Sequence, residues 1–226
     1  MNNYSWTDPP GLTSFPIAKA GYPLIFGCAF VTAIFALLGL TILTLISLAF
    51  TFFVCCFFRD PDRVIPKESG AIVSPADGKV IAAGVVANSA FYESETMKIS
   101  IFMSVFNVHV NRIPYNGQVK RISYHPGKFV SANLDKASLE NEHNAVFLET
   151  DKGDSLCFVQ VAGLIARRII CHIQPGENVE RGKRYGMICF GSRLDVYLPQ
   201  NVSLNVRVGD KVQAGFSILA HLPGEV

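Results

Sequence analysis

The chemistry of this chain is sought first at Gly191-Ser192. The pair sits inside Tyr185-Gly-Met-Ile-Cys-Phe-Gly-Ser-Arg-Leu-Asp-Val-Tyr-Leu-Pro199, where apolar, strand-like residues run into it and out again. A serine hydroxyl becomes a useful nucleophile only when a base takes its proton. The Gly-x-Ser-x-Gly elbow is missing, because Arg193 and Leu194 follow the serine. On local pattern alone, a Gly-Ser pair in a strand reads as a bulge. Two further stretches hold groups that could serve such a serine. Asp77 lies in Val73-Ser-Pro-Ala-Asp-Gly-Lys-Val80, and His109 in Phe106-Asn-Val-His-Val-Asn-Arg-Ile-Pro114. Alone, Asp77 before Gly78 reads as a turn residue and His109 as a structural histidine on an alternating strand. His125, His143, His172 and His221 show no i,i+4 pairing, and the six cysteines form no Cys-x-x-Cys, so no metal site is expected. That cysteine pattern suits a reducing compartment. Arg167-Arg168 and Arg181-Gly-Lys183-Arg184 read as solvated faces, which in a tethered domain could also touch anionic headgroups.

The elements that must position these residues are short strands. Lys79–Ala87, Lys98–Val105, Gln118–Tyr124, Ala145–Thr150, Ser155–Val161 and Val202–Val208 are β-branched or alternating, with Gly, Pro, Asn and Asp between them. A long connection, Gly127–Asn144, interrupts the series, with weak helical periodicity over Ser131–Glu142. Gly176-Glu177-x-Val179-x-x-Gly182 recurs as Gly209-Asp210-x-Val212-x-x-Gly215. Such hairpins are frequent in the flattened β-sandwiches of biotinyl and lipoyl carriers, though turn chemistry alone explains the glycines. The expected fold is mainly β, a flattened sandwich or barrel.

Charge divides the chain sharply. Asp8 and Lys19 are the only charged residues in 1–58, and no residue between Lys19 and Arg59 carries a formal charge. As one helix the stretch 20–58 would be about 58 Å long, against a bilayer core of about 30 Å. Two short spans with a turn near Gly39 fit better than one tilted span or a monotopic arrangement. A hairpin puts Lys19 and Arg59 on one side, which the positive-inside rule makes cytoplasmic. The run is too long, and starts too late, for a cleaved signal peptide. Residues 1–19 form an extended lead-in carrying Pro9, Pro10 and Pro16, and 59–226 form the soluble domain. A net charge of +2 leaves no footprint for nucleic acid.

Taken together, the motifs acquire a meaning that none has alone. Phe57-Phe-Arg-Asp-Pro-Asp-Arg63, Pro75-Ala-Asp-Gly78, Asn107-Val-His-Val-Asn-Arg112 and Phe190-Gly-Ser192, after an apolar segment and in this order, resemble the short-form phosphatidylserine decarboxylases over essentially the whole chain. The resemblance implies a proenzyme that cuts itself between Gly191 and Ser192 into a large chain, 1–191, and a small chain, 192–226, held as a heterodimer. Ser192 becomes a covalent pyruvoyl cofactor that forms a Schiff base with the lipid amine. Asp77 and Ser192 match the outer members of an Asp-His-Ser relay. Long-form relatives carry two histidines where this chain has His109 and Arg112. Arginine cannot act as a base at neutral pH. His109 is therefore expected in self-cleavage, alone or assisted by another group, and as the acid of decarboxylation, and Arg112 is a candidate headgroup ligand. Phe129–Glu142, with Leu134, Lys136 and Leu139, is expected near the acyl chains or headgroup entrance, and His143 receives no role. The implied partner is membrane phospholipid, at the cytoplasmic face of the cell membrane; homo-oligomerisation is left open. Two other classes compete: a lipoyl or biotinyl carrier, for which Met97-Lys98 and Asp135-Lys136-Ala137 are decoy attachment sites, and a non-catalytic membrane-anchored β domain.

Overall fold

The computed structural model describes residues 4–6, 16–87, 89, 91–92, 94–127, 140–163, 168–189 and 191–224. The chain divides into two compact units, Pro10–Asp62 and Arg63–Val226, the latter joined by Met1–Pro9.

In the first unit, a 3-10 turn at Lys19–Gly21 leads into α1 (Tyr22–Leu37), and α2 (Thr41–Phe57) packs against it. The break falls at Gly39, whose φ of +70° is the left-handed conformation glycine adopts without a Cβ penalty. Thr32 Oγ1 and Thr51 Oγ1 meet across the helices at 3.2 Å. Ala18 N donates to Phe58 O and Asp60 N to Pro16 O, both at 2.7 Å, so the two ends of the hairpin are clasped together. Lys19–Leu37 is long and apolar enough to cross a membrane, whereas Thr41–Phe57 is shorter. Phe26, Phe30, Leu37, Ile42 and Phe52 are exposed on these helices. Apolar side chains on an outer surface favour membrane association.

The second unit is mainly β. Its strands are β1 (Tyr4–Trp6), β2 (Val64–Pro66), β3 (Ala71–Val73), β4 (Gly78–Val86), β5 (Thr96–Met103), β6 (Val110–Arg112), β7 (Gly117–His125), β8 (His143–Glu149), β9 (Ser155–Ala162), β10 (Arg168–Cys171), β11 (Asn178–Val179), β12 (Arg184–Cys189), β13 (Ser192–Leu198), β14 (Ser203–Leu204), β15 (Lys211–Val212) and β16 (Ile218–His221). An eight-stranded sheet runs β11-β7-β8-β9-β13-β5-β4-β15, and smaller sheets, β10-β12-β6 and β14-β16-β3, accompany it. Ile99, Ile101, Met103, Val146, Phe158, Leu194 and Val196 from one face of the large sheet build the core. Their alternation with residues on the other face follows from the two-residue period of a strand. The expected strand over Val202–Val208 shrinks to Ser203–Leu204. The rest of that stretch turns, with Asn205 N bonded to Leu219 O and Arg207 N to Asp210 Oδ2.

The large sheet carries an internal near-repeat. Pro75-Ala-Asp-Gly-Lys-Val80 opens β4, and Pro114-Tyr-Asn-Gly-Gln-Val119 opens β7. Gly78 and Gly117 are needed for the same reason: a Cβ would run into the carbonyl of Phe102 in one case and of Glu149 in the other. The repeated Gly-acid-x-Val hairpins then cap the two outer edges in the same way. Val80 N bonds Asp210 O and Val119 N bonds Glu177 O, each at 2.9 Å. Ala214 N donates to Asp77 Oδ1, and Arg181 N to Asn116 Oδ1, each at 2.7 Å.

Candidate active site

Strand register brings the predicted residues to one end of the sheet. Ser192 opens β13 and stands opposite Met103, the last residue of β5, on one side and Ala162 on the other. On the far side of β5, Lys79 pairs with Phe102, so Asp77 stands just before the neighbouring strand at that same end. His109 precedes β6, which pairs with β12, the strand that leads into Gly191-Ser192. Val110 lies opposite Met187, and Ile188 N reaches His109 O at 3.4 Å. The Gly-Ser pair is therefore not a bulge within one strand. It is the crossing from the small sheet into the centre of the large one.

Gly191 has φ of +59°, left-handed backbone that favours glycine. Ser192 is fully buried, and its Oγ donates to Met103 Sδ at 3.4 Å. A thioether is a weak acceptor and no base, so the hydroxyl here is held, not activated. His109 is also buried, and its Nδ1–H donates to Asn107 O at 2.9 Å. A carbonyl accepts only, so that bond fixes the neutral tautomer with its lone pair on Nε2, the form that can accept a proton.

Asp77 is buried, and Arg63 Nη2 lies 2.8 Å from its Oδ2. Arg63 is the last residue of the junction motif, and sequence reasoning gave it no task beyond the match. The near-repeat shows what the fold itself asks of position 77. In the other half the same backbone donor is satisfied by the neutral amide of Asn116. The turn needs an acceptor, and the carboxylate is extra chemistry at this end alone. Arg112 is 2% exposed and donates from Nη1 to Gly182 O at 2.9 Å, so it is tied to the turn of the other half.

A row of buried amides was not foreseen. Asn144 Nδ2 donates to Gln160 Oε1 at 3.2 Å, and Gln160 Nε2 donates to Asn111 Oδ1 at 2.9 Å and to Ile170 O at 3.3 Å. Asn111 Nδ2 then meets Met103 Sδ at 3.9 Å, the same sulfur that receives Ser192 Oγ. The available signal was Gln160, a lone amide in the otherwise apolar run Leu156–Ala162.

On the opposite face, Arg193 Nε and Nη2 grip Asp195 Oδ1 and Oδ2 at 2.6 and 2.9 Å, and Lys98 Nζ lies 3.4 Å from Asp195 Oδ2. Burial pushes the Asp195 carboxyl up, but Arg193 and Lys98 more than offset it and hold it below the usual carboxylate range. Burial lowers His143, which stacks on His125 with ring centroids 4.8 Å apart.

Comparison with known proteins decides what this arrangement belongs to. The phosphatidylserine decarboxylase family model matches residues 50–220. The chain belongs to the phosphatidylserine decarboxylase family. A phosphatidylserine decarboxylase proenzyme of Geotalea uraniireducens is 52% identical over 208 residues, covering 92% of this chain and 97% of that protein. The proteins of the same description from Ralstonia nicotianae and Nitrosomonas europaea are 50% and 47% identical, over 91% and 90% of this chain and 95% and 94% of theirs. Membership of the decarboxylase family excludes the carrier class, and the placement of one decoy agrees. Lys98 lies within β5, against Asp195 and over the Tyr197 ring, not at a hairpin tip. Asp135-Lys136-Ala137 lies outside the described residues, as does 129–139 of the expected entrance segment Phe129–Glu142.

Proposed function

We propose that this protein decarboxylates phosphatidylserine to phosphatidylethanolamine and CO2, after cutting itself between Gly191 and Ser192. The observation that carries the reading is Ser192: a buried serine behind a left-handed glycine, at the crossing between two sheets, in a chain about half identical to named proenzymes.

The cut is chemistry of the chain's own residues. Ser192 Oγ leaves Met103, loses its proton to His109 Nε2, and attacks the Gly191 carbonyl carbon. The Gly191–Ser192 C–N bond breaks as the ester forms, and the nitrogen takes a proton. Removal of the Ser192 Cα proton then breaks the Cβ–Oγ bond and expels Gly191 as a carboxylate. The dehydroalanine left behind tautomerises to an imine, takes up water and releases ammonia, leaving a pyruvoyl group on the small chain. The Asn107 carbonyl orients the base, and Asp77, held by Arg63 and Ala214 N, is the acidic member of the relay, its negative charge favouring the protonated imidazole.

The site fits that group, because residue 192 is fully buried and its Oγ shares Met103 Sδ with the Asn111 amide donor, away from solvent. When formed, the group supplies a ketone for the substrate amine and a carbonyl to hold the electron pair freed by CO2. Around it, the protein's task is to keep water from the carboxylate and to return a proton to carbon, for which His109 is the candidate acid. Arg112, with Nη1 on Gly182 O, is kept as a candidate headgroup ligand. The direct test is CO2 release from phosphatidylserine vesicles by purified protein, abolished by prior borohydride.

Asp77→Asn tests the relay. Asn116 holds the equivalent turn, so the variant should fold with a melting temperature within a few degrees of the parent. Its self-cleavage should slow by about a hundredfold, while protein already cut keeps much of its activity. An unchanged cleavage rate, followed by gel band intensity, would remove Asp77 from the site.

We place the enzyme at the membrane through its apolar hairpin, with the β domain on the cytoplasmic side, because Lys19 and Arg59 stand at the clasped ends. Deleting residues 1–58 removes the hairpin, and also β1, which pairs with β2. Asp77, His109 and Ser192 all remain. The shortened protein should still cut itself. Its turnover of long-chain lipid in vesicles should fall at least about tenfold, while that of a short-chain soluble analogue stays within about twofold, the local concentration of substrate having been lost. Equal rates on vesicles would overturn the anchoring argument.

A further inference from the structure

The buried amide row has a direction, and the direction is set by a backbone carbonyl. Ile170 O can only accept, so the atom of Gln160 facing it is Nε2. Gln160 Oε1 then faces Asn144 Nδ2, and Gln160 Nε2 also faces Asn111, which must present Oδ1. Asn111 is left with its NH2 pointing away from Gln160, toward the sulfur that also receives the Ser192 hydroxyl. Asn111, Gln160 and Ser192 are fully buried and Asn144 nearly so. An amide donor fixed in a dry site, with nothing better among the described residues than a thioether at 3.9 Å, is a poor use of a buried polar group unless a stronger acceptor arrives.

One step of self-cleavage makes such an acceptor at this position. When the Cβ–Oγ bond of the ester breaks, Oγ departs as part of the Gly191 carboxylate and negative charge grows on it. We propose that Asn111 Nδ2 donates to that departing oxygen, making Asn111 a catalytic residue of the elimination step, with Gln160 and Asn144 as positioning residues that keep its amide facing the right way. The inference rests on the self-cleavage reading and adds to it a donor for the leaving group. A preorganised donor at developing negative charge in a water-excluded site contributes far more than the same bond in water.

The test separates ester formation from elimination. Asn111→Leu keeps the side-chain shape and removes the donor. The variant and the parent are purified, and the rate of chain separation is followed by intact mass with and without hydroxylamine. Hydroxylamine splits the ester directly and leaves a small chain that begins with an ordinary serine and its amine. The expected result is spontaneous separation slowed by about a hundredfold or more. Hydroxylamine should restore separation to within about threefold of the parent rate, with serine at the new terminus. Spontaneous cleavage of Asn111→Leu at the parent rate would overturn the proposal. So would a variant that hydroxylamine cannot split, since the defect would then precede the ester. Gln160→Leu provides a second reading should Asn111→Leu not fold. Asn111 stays, but its amide is free to turn over, so the hydroxylamine-sensitive fraction at early times should again exceed that of the parent. Equal fractions in Gln160→Leu and parent would count against the amide row. A parent protein that never separates would instead defeat the self-cleavage reading on which the inference stands.

Discussion

Ser192→Ala should remain a single chain of 226 residues and show no decarboxylase activity above background. The hydroxyl provides the nucleophile of the cut, the oxygen that leaves with Gly191, and the Cβ–O bond whose loss creates the ketone. No neighbouring group can replace all three. Folding should survive. Ser192 Oγ makes its hydrogen bond to a thioether, a weak acceptor, and its backbone keeps both neighbours, Met103 and Ala162. The expected melting temperature therefore matches that of uncut parent protein within a few degrees. A Ser192→Ala protein that still releases CO2 at the parent rate would remove the serine from the mechanism.

His109→Ala should impair both stages, each by about a hundredfold to ten-thousandfold, the range general acid–base groups supply. In self-cleavage the loss is of the base that takes the Ser192 proton. In decarboxylation it is of the acid that returns a proton to carbon. Separating the two requires two assays on the same variant. Cleavage is read by intact mass over days, and CO2 release is then normalised to the cut fraction. The Asn107 carbonyl fixes the ring's tautomer, so a variant with cleavage slowed and turnover per cut molecule normal would confine His109 to processing. Normal rates of both would exclude it.

Much of this was legible in the sequence because strands and apolar helices announce themselves by period and charge. The uncharged run corresponds to two helices broken at Gly39, and the alternating runs to β4, β5, β7, β8 and β9 of the large sheet, with Val202–Val208 the exception, where only Ser203–Leu204 pairs. Ser192, His109 and Asp77 were reached through motif order and not from chemistry, since each alone has an ordinary structural use. The contributions of Arg63, Asn111 and Gln160 depend on contacts between residues 8 to 49 positions apart, which no local pattern encodes. The pairing of Pro75-Ala-Asp-Gly with Pro114-Tyr-Asn-Gly was readable in principle. Its meaning needed the shared hydrogen bond, because only the structure shows that Asn116 does for the fold what Asp77 does. The bond from Arg112, a candidate headgroup ligand, to Gly182 O was not legible, because its position in a strand motif says nothing of a partner 70 residues away.

The central claim is that residue 192 is converted from a serine into the reactive group of a new chain. Intact mass of the purified parent protein, before and after treatment with a carbonyl-specific hydrazine, tests it most directly. Two chains are expected, 1–191 and 192–226. The small chain should be lighter by one ammonia than its unmodified sequence, should lack an N-terminal amine, and should gain one hydrazone. Full decarboxylase activity in a preparation that stays a single unmodified chain, or in one whose small chain begins with an ordinary serine, would contradict it.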